Sequence, residues 1–335
     1  MPDEPVPLVM IGAGSIACSY ARAISTIDRI RLAGVADICA EKASILADSC
    51  RCRSFNTVPA MLSELSPGAA IICTPPDSHR DICIELAGRG IHMLCEKPFS
   101  INAADAGTMI DAARRASVAI TVSSKFRHMQ DIIQARDLIR SGALGRVLKF
   151  SNTFSRRTPM AGRWNSDPSI SGGGVIIDNG THSLDILSYF AGPPARIRAV
   201  EYGRNQVFPV EENARLHVET ESGVSGEIEL SWDHDSAQDS FIIISGTGGE
   251  LQIGWKKSRY LLDSASEWVT FGSGYDKTEV LARQMDNFIS VIEGRAAPCT
   301  SHREILSTVS AIDAAYLSLK TSEWVSISHN REVSE

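Results

Sequence analysis

Apolar residues recur in two different rhythms, and the rhythm changes near residue 123. Before that point, short apolar runs at 6–11, 31–36, 69–73, 91–95 and 118–122, the one at 69–73 unbroken, alternate with stretches of helical period. The helical stretches fall at 16–27, 41–49, 77–88 and 102–116. A run that is apolar at every position predicts a strand covered on both faces. Its alternation with helices predicts β-α-β units and a parallel sheet. After a helix at 131–141, closed by Gly142, strand candidates follow one another at 147–154, 195–202, 214–219, 225–232, 240–245 and 250–253. Several alternate, as in Glu227-Ile228-Glu229-Leu230, which predicts a mostly antiparallel sheet with one packed face. Helices at 279–293 and 302–319 close the chain. The fold class expected is α/β, with one domain over 1–123 and a second over 124–335, onto the first of which the closing helices can pack back.

Composition narrows the class of function. The chain has 335 residues, 43% hydrophobic and 22% charged, so it can bury a large core without disulfide or metal staples. Lys and Arg number 33 against 40 Asp and Glu, a formal charge of −7, and so no nucleic-acid partner is expected. Residues 1–7 are acidic and proline-rich and lack the basic start of a signal peptide. No apolar run is long enough to span a bilayer, so no membrane partner is expected. The eight cysteines form no C-x-x-C pair and read as reduced thiols, which points to a cytoplasmic location.

Gly12-Ala13-Gly14-Ser15-Ile16-Ala17 follows the first strand and opens a helix, fitting G-x-G-x-x-G/A. Gly12 allows the tight turn, Gly14 the approach of a pyrophosphate, and Ala17 close packing of helix on sheet. The phosphates of a dinucleotide would rest on free N–H groups at the helix start, at Ser15 and Ile16. Asp37 ends the second strand, where an acid accepts hydrogen bonds from the ribose hydroxyls and repels a 2′-phosphate. NAD is therefore expected over NADP. Thr74-Pro75-Pro76 ends a central strand at the ligand-binding edge, with His79 on the next helix. These four residues read as cofactor contacts or, equally, as a rigid turn with a capping histidine.

Two further stations carry chemistry. Glu96-Lys97-Pro98 ends another strand at the same edge, where Lys97 would lie near the nicotinamide and hold a substrate oxygen. The run 172–185 begins with Gly172-Gly173-Gly174 and places Asp178, His182 and Asp185 at i, i+4 and i+7, one face of a helix. A histidine beside a carboxylate is a general base suited to neutral pH. Helix capping by Asp178 and a structural His182 are the plainer alternatives. No ligand cluster supports a metal site.

In this order the three stations resemble the glucose–fructose oxidoreductase / inositol dehydrogenase / rhizopine-catabolism family (Gfo/Idh/MocA). Its pattern is G-x-G-x-x-[GA], then E-K-P, then G-G-G-x-x-x-D-x-G-x-H-x-x-D. The runs 245–251 and 284–288 also look like late segments of the family. The resemblance implies a Rossmann domain, then an α/β domain with a large, mostly antiparallel open sheet, and a homodimer or homotetramer. It implies Lys97, Asp178 and His182 as the catalytic trio and Glu96 and Lys97 as cofactor neighbours. The substrate it implies is a small sugar or cyclitol, oxidised or reduced at a secondary hydroxyl or ketone. Arg127, Arg156, Arg163 and Trp164 are candidate substrate contacts beside the trio, or loop cations and a packing indole. Competing readings are an NAD(P)H-dependent ketosugar reductase acting on a sugar phosphate or nucleotide sugar, an NAD-retaining glycoside hydrolase, and a nucleotide-sensing binding protein.

Overall fold

A computed structural model describes residues 4–203 and 208–328. The first three residues of the acidic N-terminal stretch lie outside the described residues. The chain divides into two compact units. One holds residues 1–100, 104–125 and 277–302, and the other 101–103, 126–276 and 303–335.

The first unit is built on a parallel six-stranded sheet of β1 (Val6–Ile11), β2 (Ile30–Ala36), β3 (Arg53–Phe55), β4 (Ala69–Ile72), β5 (His92–Cys95) and β6 (Ile120–Val122). Their order is β3-β2-β1-β4-β5-β6. The direction of winding reverses between β1 and β4, which opens a crevice at their carboxyl ends. Leu8, Val9 and Met10 of β1 and all of β4 are fully buried, as their unbroken apolar runs require. β3 is three residues long and begins Arg-Ser, too short and polar to leave a periodic signal.

The helix Lys277–Ile292 belongs to this unit, so the first of the two closing helices lies with it, while residues 303–335 belong to the other. Its stripe of Leu281, Met285, Phe288 and Ile289 joins the core that holds Ala17 and Tyr20 of the helix Ser15–Ile24. An apolar stripe on a surface helix needs cover, and this core provides it.

The second unit carries a nine-stranded sheet of β7 (Val147–Ser155), β8 (Pro194–Glu201), β9 (Asn213–Thr220), β10 (Ser225–Ser231), β11 (Ser240–Gly246), β12 (Gly249–Gly254), β13 (Ser258–Leu262), β14 (Val269–Phe271) and β15 (Val325–Ser326). The order is β14-β13-β12-β11-β7-β10-β9-β8-β15, antiparallel throughout except for β7 with β10. Ala214, Leu216 and Val218 of β9 point into the core, while opposite charges pair across strands on the other face, two pairs directly opposite and Lys149 with Glu227 on the diagonal. Arg196 pairs with Glu219, Lys149 with Glu227 and Arg215 with Glu229. Among the described residues no helix is long and apolar enough to cross a membrane.

Candidate active site

The glycine loop sits at the crevice. Gly12 has φ +95°, and a Cβ there would meet the carbonyl of Cys73 at 2.8 Å, so β1 turns flush against the end of β4. Gly14 caps the helix Ser15–Ile24 with no side-chain cap, and nothing lies within 4 Å of its missing Cβ. Ser15 is exposed, Ile16 half-buried and Ala17 fully buried at the start of that helix. The helix start is therefore open to an anionic ligand, which fits a pyrophosphate. Asp37 turns one carboxylate oxygen to the Ala13 N–H at 2.6 Å and the other to the Cys39 N–H at 2.8 Å. It ties the end of β2 to the loop, beside the surface that a ribose would take.

A buried polar network places the lysine station. The Tyr20 hydroxyl donates to Glu96 Oε1 at 2.9 Å, shares a hydrogen bond with Ser123 Oγ at 2.9 Å, and accepts from Gln284 Nε2 at 2.8 Å. The other oxygen of Glu96 accepts from the Lys97 backbone N–H at 3.1 Å. Glu96 is 6% exposed, so its carboxylate anchors the strand end within the unit. Burial, then the Glu96 charge, push the Tyr20 phenol well above its ordinary range. Tyr20, Ser123 and Gln284 come from three distant segments, and only Gln284 lies in a run that the sequence singles out.

His79 is fully buried and braces the same turn. Its Nδ1 lies 3.1 Å from the Pro98 carbonyl and 3.2 Å from that of Phe99, and its Nε2 lies 2.9 Å from that of Thr74. It links the ends of β4 and β5 where a cofactor contact was expected, because both ring nitrogens are taken up by carbonyls. The peptide between Lys97 and Pro98 is cis. Thr74 Oγ1 accepts from Ser78, and Pro76 opens a short 3₁₀ turn that leads into the helix His79–Gly88.

In the second unit, the glycine run leads into a π-helical turn, Ile176–Gly180, and then the α-helix Thr181–Ala191. A Cβ on Gly174 would fall 2.0 Å from the Glu211 carbonyl oxygen, so only glycine fits there. The buried Glu211 carboxylate accepts from the Gly174 and Ile176 N–H groups, both at 3.0 Å, and from the Tyr316 hydroxyl at 2.8 Å. It caps this helix start from 35 residues away in sequence. Burial raises the Glu211 carboxyl above its ordinary value, against the pull of those donors. Burial and then Glu211 push the Tyr316 phenol well up.

The segment that carries Asp178 is a π turn, whose i→i+5 geometry takes more residues per revolution than the α-helix assumed for an i, i+4, i+7 face. Asp185 pairs with Arg127 at 2.8 Å. Arg127, expected among the substrate contacts, is 2% exposed and also reaches Glu304 at 2.6 Å. Burial opposes its charge, and Asp185 and Glu304 more than offset that, so its pKa is raised. Arg127 is thus an internal tie of the second unit. His182 is 7% exposed and stands edge-on to Phe126, with ring centroids 5.1 Å apart. Arg156 and Arg163 are exposed on the loop after β7, with Trp164 36% exposed beside Arg163. Among the described residues no group of three or more His, Cys, Asp or Glu is placed to hold a metal ion.

Comparison with known proteins agrees with this architecture. Residues 6–124 match the oxidoreductase family with an NAD-binding Rossmann fold, and residues 132–252 the GFO/IDH/MocA C-terminal domain. The rhizopine catabolism protein MocA of Rhizobium meliloti is 24% identical over 313 residues, covering 92% of this chain and 93% of that protein. Glucose-6-phosphate 3-dehydrogenase of Bacillus subtilis is 27% identical over 223 residues, 65% of this chain and 63% of that enzyme. A solved levoglucosan dehydrogenase, in complex with NADH and levoglucosan, superposes with a TM-score of 0.89 at 19% identity. That match covers 97% of this chain and all of that one. The two domain matches, in the same order as the two sheets, show that the chain belongs to the Gfo/Idh/MocA family of oxidoreductases.

Proposed function

We propose that this protein is an NAD-dependent dehydrogenase acting on a secondary hydroxyl of a sugar or cyclitol. The observation that supports this most is where the fold buries polar groups. Tyr20, Ser123 and Gln284 surround Glu96 next to Lys97, and Tyr316 and Glu211 surround the turn that carries Asp178. Buried ionisable networks contribute little to net stability, and they hold neighbouring groups in one geometry.

In this reading Gly12, Gly14, Ser15, Ile16 and Ala17 receive the pyrophosphate. Asp37 holds the ribose hydroxyls and selects NAD against NADP. Bound NAD⁺ supplies the hydride acceptor. His182 takes the hydroxyl proton on its imidazole, Lys97 holds the same oxygen and stabilises its developing charge, and Asp178 orients the imidazole or a neighbouring substrate hydroxyl. Thr74, Pro75, Pro76 and His79 shape the strand ends beneath the cofactor. Arg156, Arg163 and Trp164 remain candidates for outer substrate contacts. The protein works as a homodimer or homotetramer, which light scattering tests.

The experiment is NADH absorbance with purified protein, NAD⁺ or NADP⁺, and a panel of inositols, hexoses, glycosides, uronates and sugar phosphates at pH 8–9, roughly where a histidine base is free. NAD⁺ reduction with one class of polyol is the expected result. Silence with every polyol, with NAD still bound, would turn the reading toward reduction of a nucleotide sugar, glycoside cleavage or sensing.

A further inference from the structure

His182 belongs to a cluster of aromatic rings. Phe126 packs on Phe154 at 5.2 Å, on His182 at 5.1 Å, on Phe241 at 5.8 Å, on Tyr275 at 5.6 Å and on Trp255 at 6.1 Å. Phe126, Phe154 and Phe241 are at most 8% exposed and form the floor. Trp255 differs, because 43% of it is open. Phe241 covers one of its faces at 4.3 Å and 28°, and Tyr275 meets it edge-on at 5.7 Å and 85°. An indole left this open forgoes burial that the core would otherwise gain.

The ring is also held. Asp131, fully buried, accepts from Ser258 Oγ at 2.6 Å and from the Ser273 N–H at 3.1 Å. The Tyr275 N–H donates to the Trp255 carbonyl at 3.0 Å. Both segments that carry the outer rings are therefore tied to one carboxylate. A fixed, open aromatic face, one ring removed from His182 across Phe126, is a binding surface that is ready before ligand arrives.

We propose that Trp255, which shares the Phe126 and Phe154 floor with His182, is the platform of a subsite that takes an uncharged pyranose or cyclitol ring by its apolar C–H face. This rests on the dehydrogenase reading above and makes Trp255 a specificity-determining residue. The negative face of an aromatic ring attracts the weakly positive C–H hydrogens of such a ring. The floor rings Phe126, Phe154 and Phe241 carry no charge, so a phosphate or carboxylate laid on them would lose water without a partner from the floor itself. Arg127 is spent on Asp185 and Glu304. Lys256 and Lys257 follow Trp255 on an exposed turn and are the cations next to it along the chain.

The test compares wild type, Trp255→Ala, Trp255→Phe and a Lys256→Ala/Lys257→Ala double variant. The ligands are methyl β-glucopyranoside, myo-inositol, glucose 6-phosphate and glucuronate. Equilibrium binding to the NAD-loaded protein is measured by calorimetry, alongside turnover. Wild type should bind a neutral ring more tightly than either charged sugar. Trp255→Ala should weaken that binding by about tenfold, as loss of an aromatic contact worth about 1.4 kcal/mol implies, with kcat little changed and partial recovery in Trp255→Phe. The double variant should leave neutral rings unaffected. Equal affinity in Trp255→Ala, a wild-type preference for the phosphate or uronate, or no binding of either neutral ring would each overturn the proposal. Trp255-dependent binding with no turnover of any polyol would support the subsite and count against the dehydrogenase.

Discussion

The phenol of Tyr20 and the carboxylate of Glu96 meet at 2.9 Å across 76 residues of sequence, fully enclosed in the first unit. Glu96 holds the Lys97 backbone with its other oxygen, so the first helix of the chain fixes the lysine station at the end of β5. Tyr20→Phe removes one donor and leaves Glu96 and Gln284 short of a partner. It should destabilise the protein by about 1–3 kcal/mol, measured by urea unfolding, and lower kcat more than it raises the KM for NAD. Unchanged stability would mean that water replaces the phenol.

Asp37 carries cofactor choice in this account. Asp37→Ser removes the charge-assisted acceptor of the ribose hydroxyls. It also releases the Ala13 and Cys39 N–H groups that Asp37 now holds. The affinity for NAD should fall by about 10- to 150-fold, corresponding to about 1.5–3 kcal/mol, while affinity for NADP holds or rises. Fluorescence titration with both dinucleotides measures the ratio.

The buried pair Arg127 and Asp185, with the partly exposed Glu304 beside it, predicts strong non-additivity. Asp185→Asn strands part of a buried guanidinium and should cost about 3–5 kcal/mol, whereas Arg127→Met with Asp185→Leu should cost less than the single change. Urea unfolding of the parent, both variants, and Arg127→Met and Asp185→Leu alone decides it. A purely additive result would show that the pair is more solvated than its 1% and 8% side-chain exposures for Arg127 and Asp185 indicate.

Burial lowers the His79 imidazole below its ordinary 6.5, against the carbonyls of Thr74, Phe99 and Pro98, which favour its charged form. The unfolded chain then binds a proton more readily than the folded one. The contribution of His79 is therefore fully present above about pH 6.5 and is lost as pH falls through its lower folded value. The stability advantage of wild type over His79→Gln should shrink between pH 8 and pH 5 by urea unfolding. Since His92 titrates in both proteins, the comparison isolates His79. An advantage that grows on acidification would mean that the three carbonyls hold a charged ring.

The parallel sheet was legible because its main strands are short, mostly apolar runs beside a helical period, and Gly12, Gly14 and Asp37 mark where its ligand edge lies. The antiparallel sheet showed through alternation such as Glu227-Ile228-Glu229-Leu230. Its outermost strands β13, β14 and β15 left no signal, because short edge strands such as Val269–Phe271 carry no repeated pattern. Neither did the π turn, whose sequence Ile176-Ile177-Asp178-Asn179-Gly180 is compatible with an ordinary helix and whose form depends on Glu211 and Tyr316 arriving from elsewhere. Arg127 and His79 looked like site residues by position. Only the fold shows their polar atoms committed to Asp185, Glu304 and three backbone carbonyls. Tertiary partners of this kind are not encoded at any fixed spacing.

The central claim is hydride transfer from a polyol carbon, with His182 taking the proton. The most direct measurement uses a substrate deuterated at the reacting carbinol carbon, with mass spectrometry of the NADH formed by wild type and by His182→Ala. The account predicts deuterated NADH from wild type and a rate lower by roughly 10²–10⁴ in the variant. NADH formed without deuterium, or a variant as fast as wild type, would contradict it.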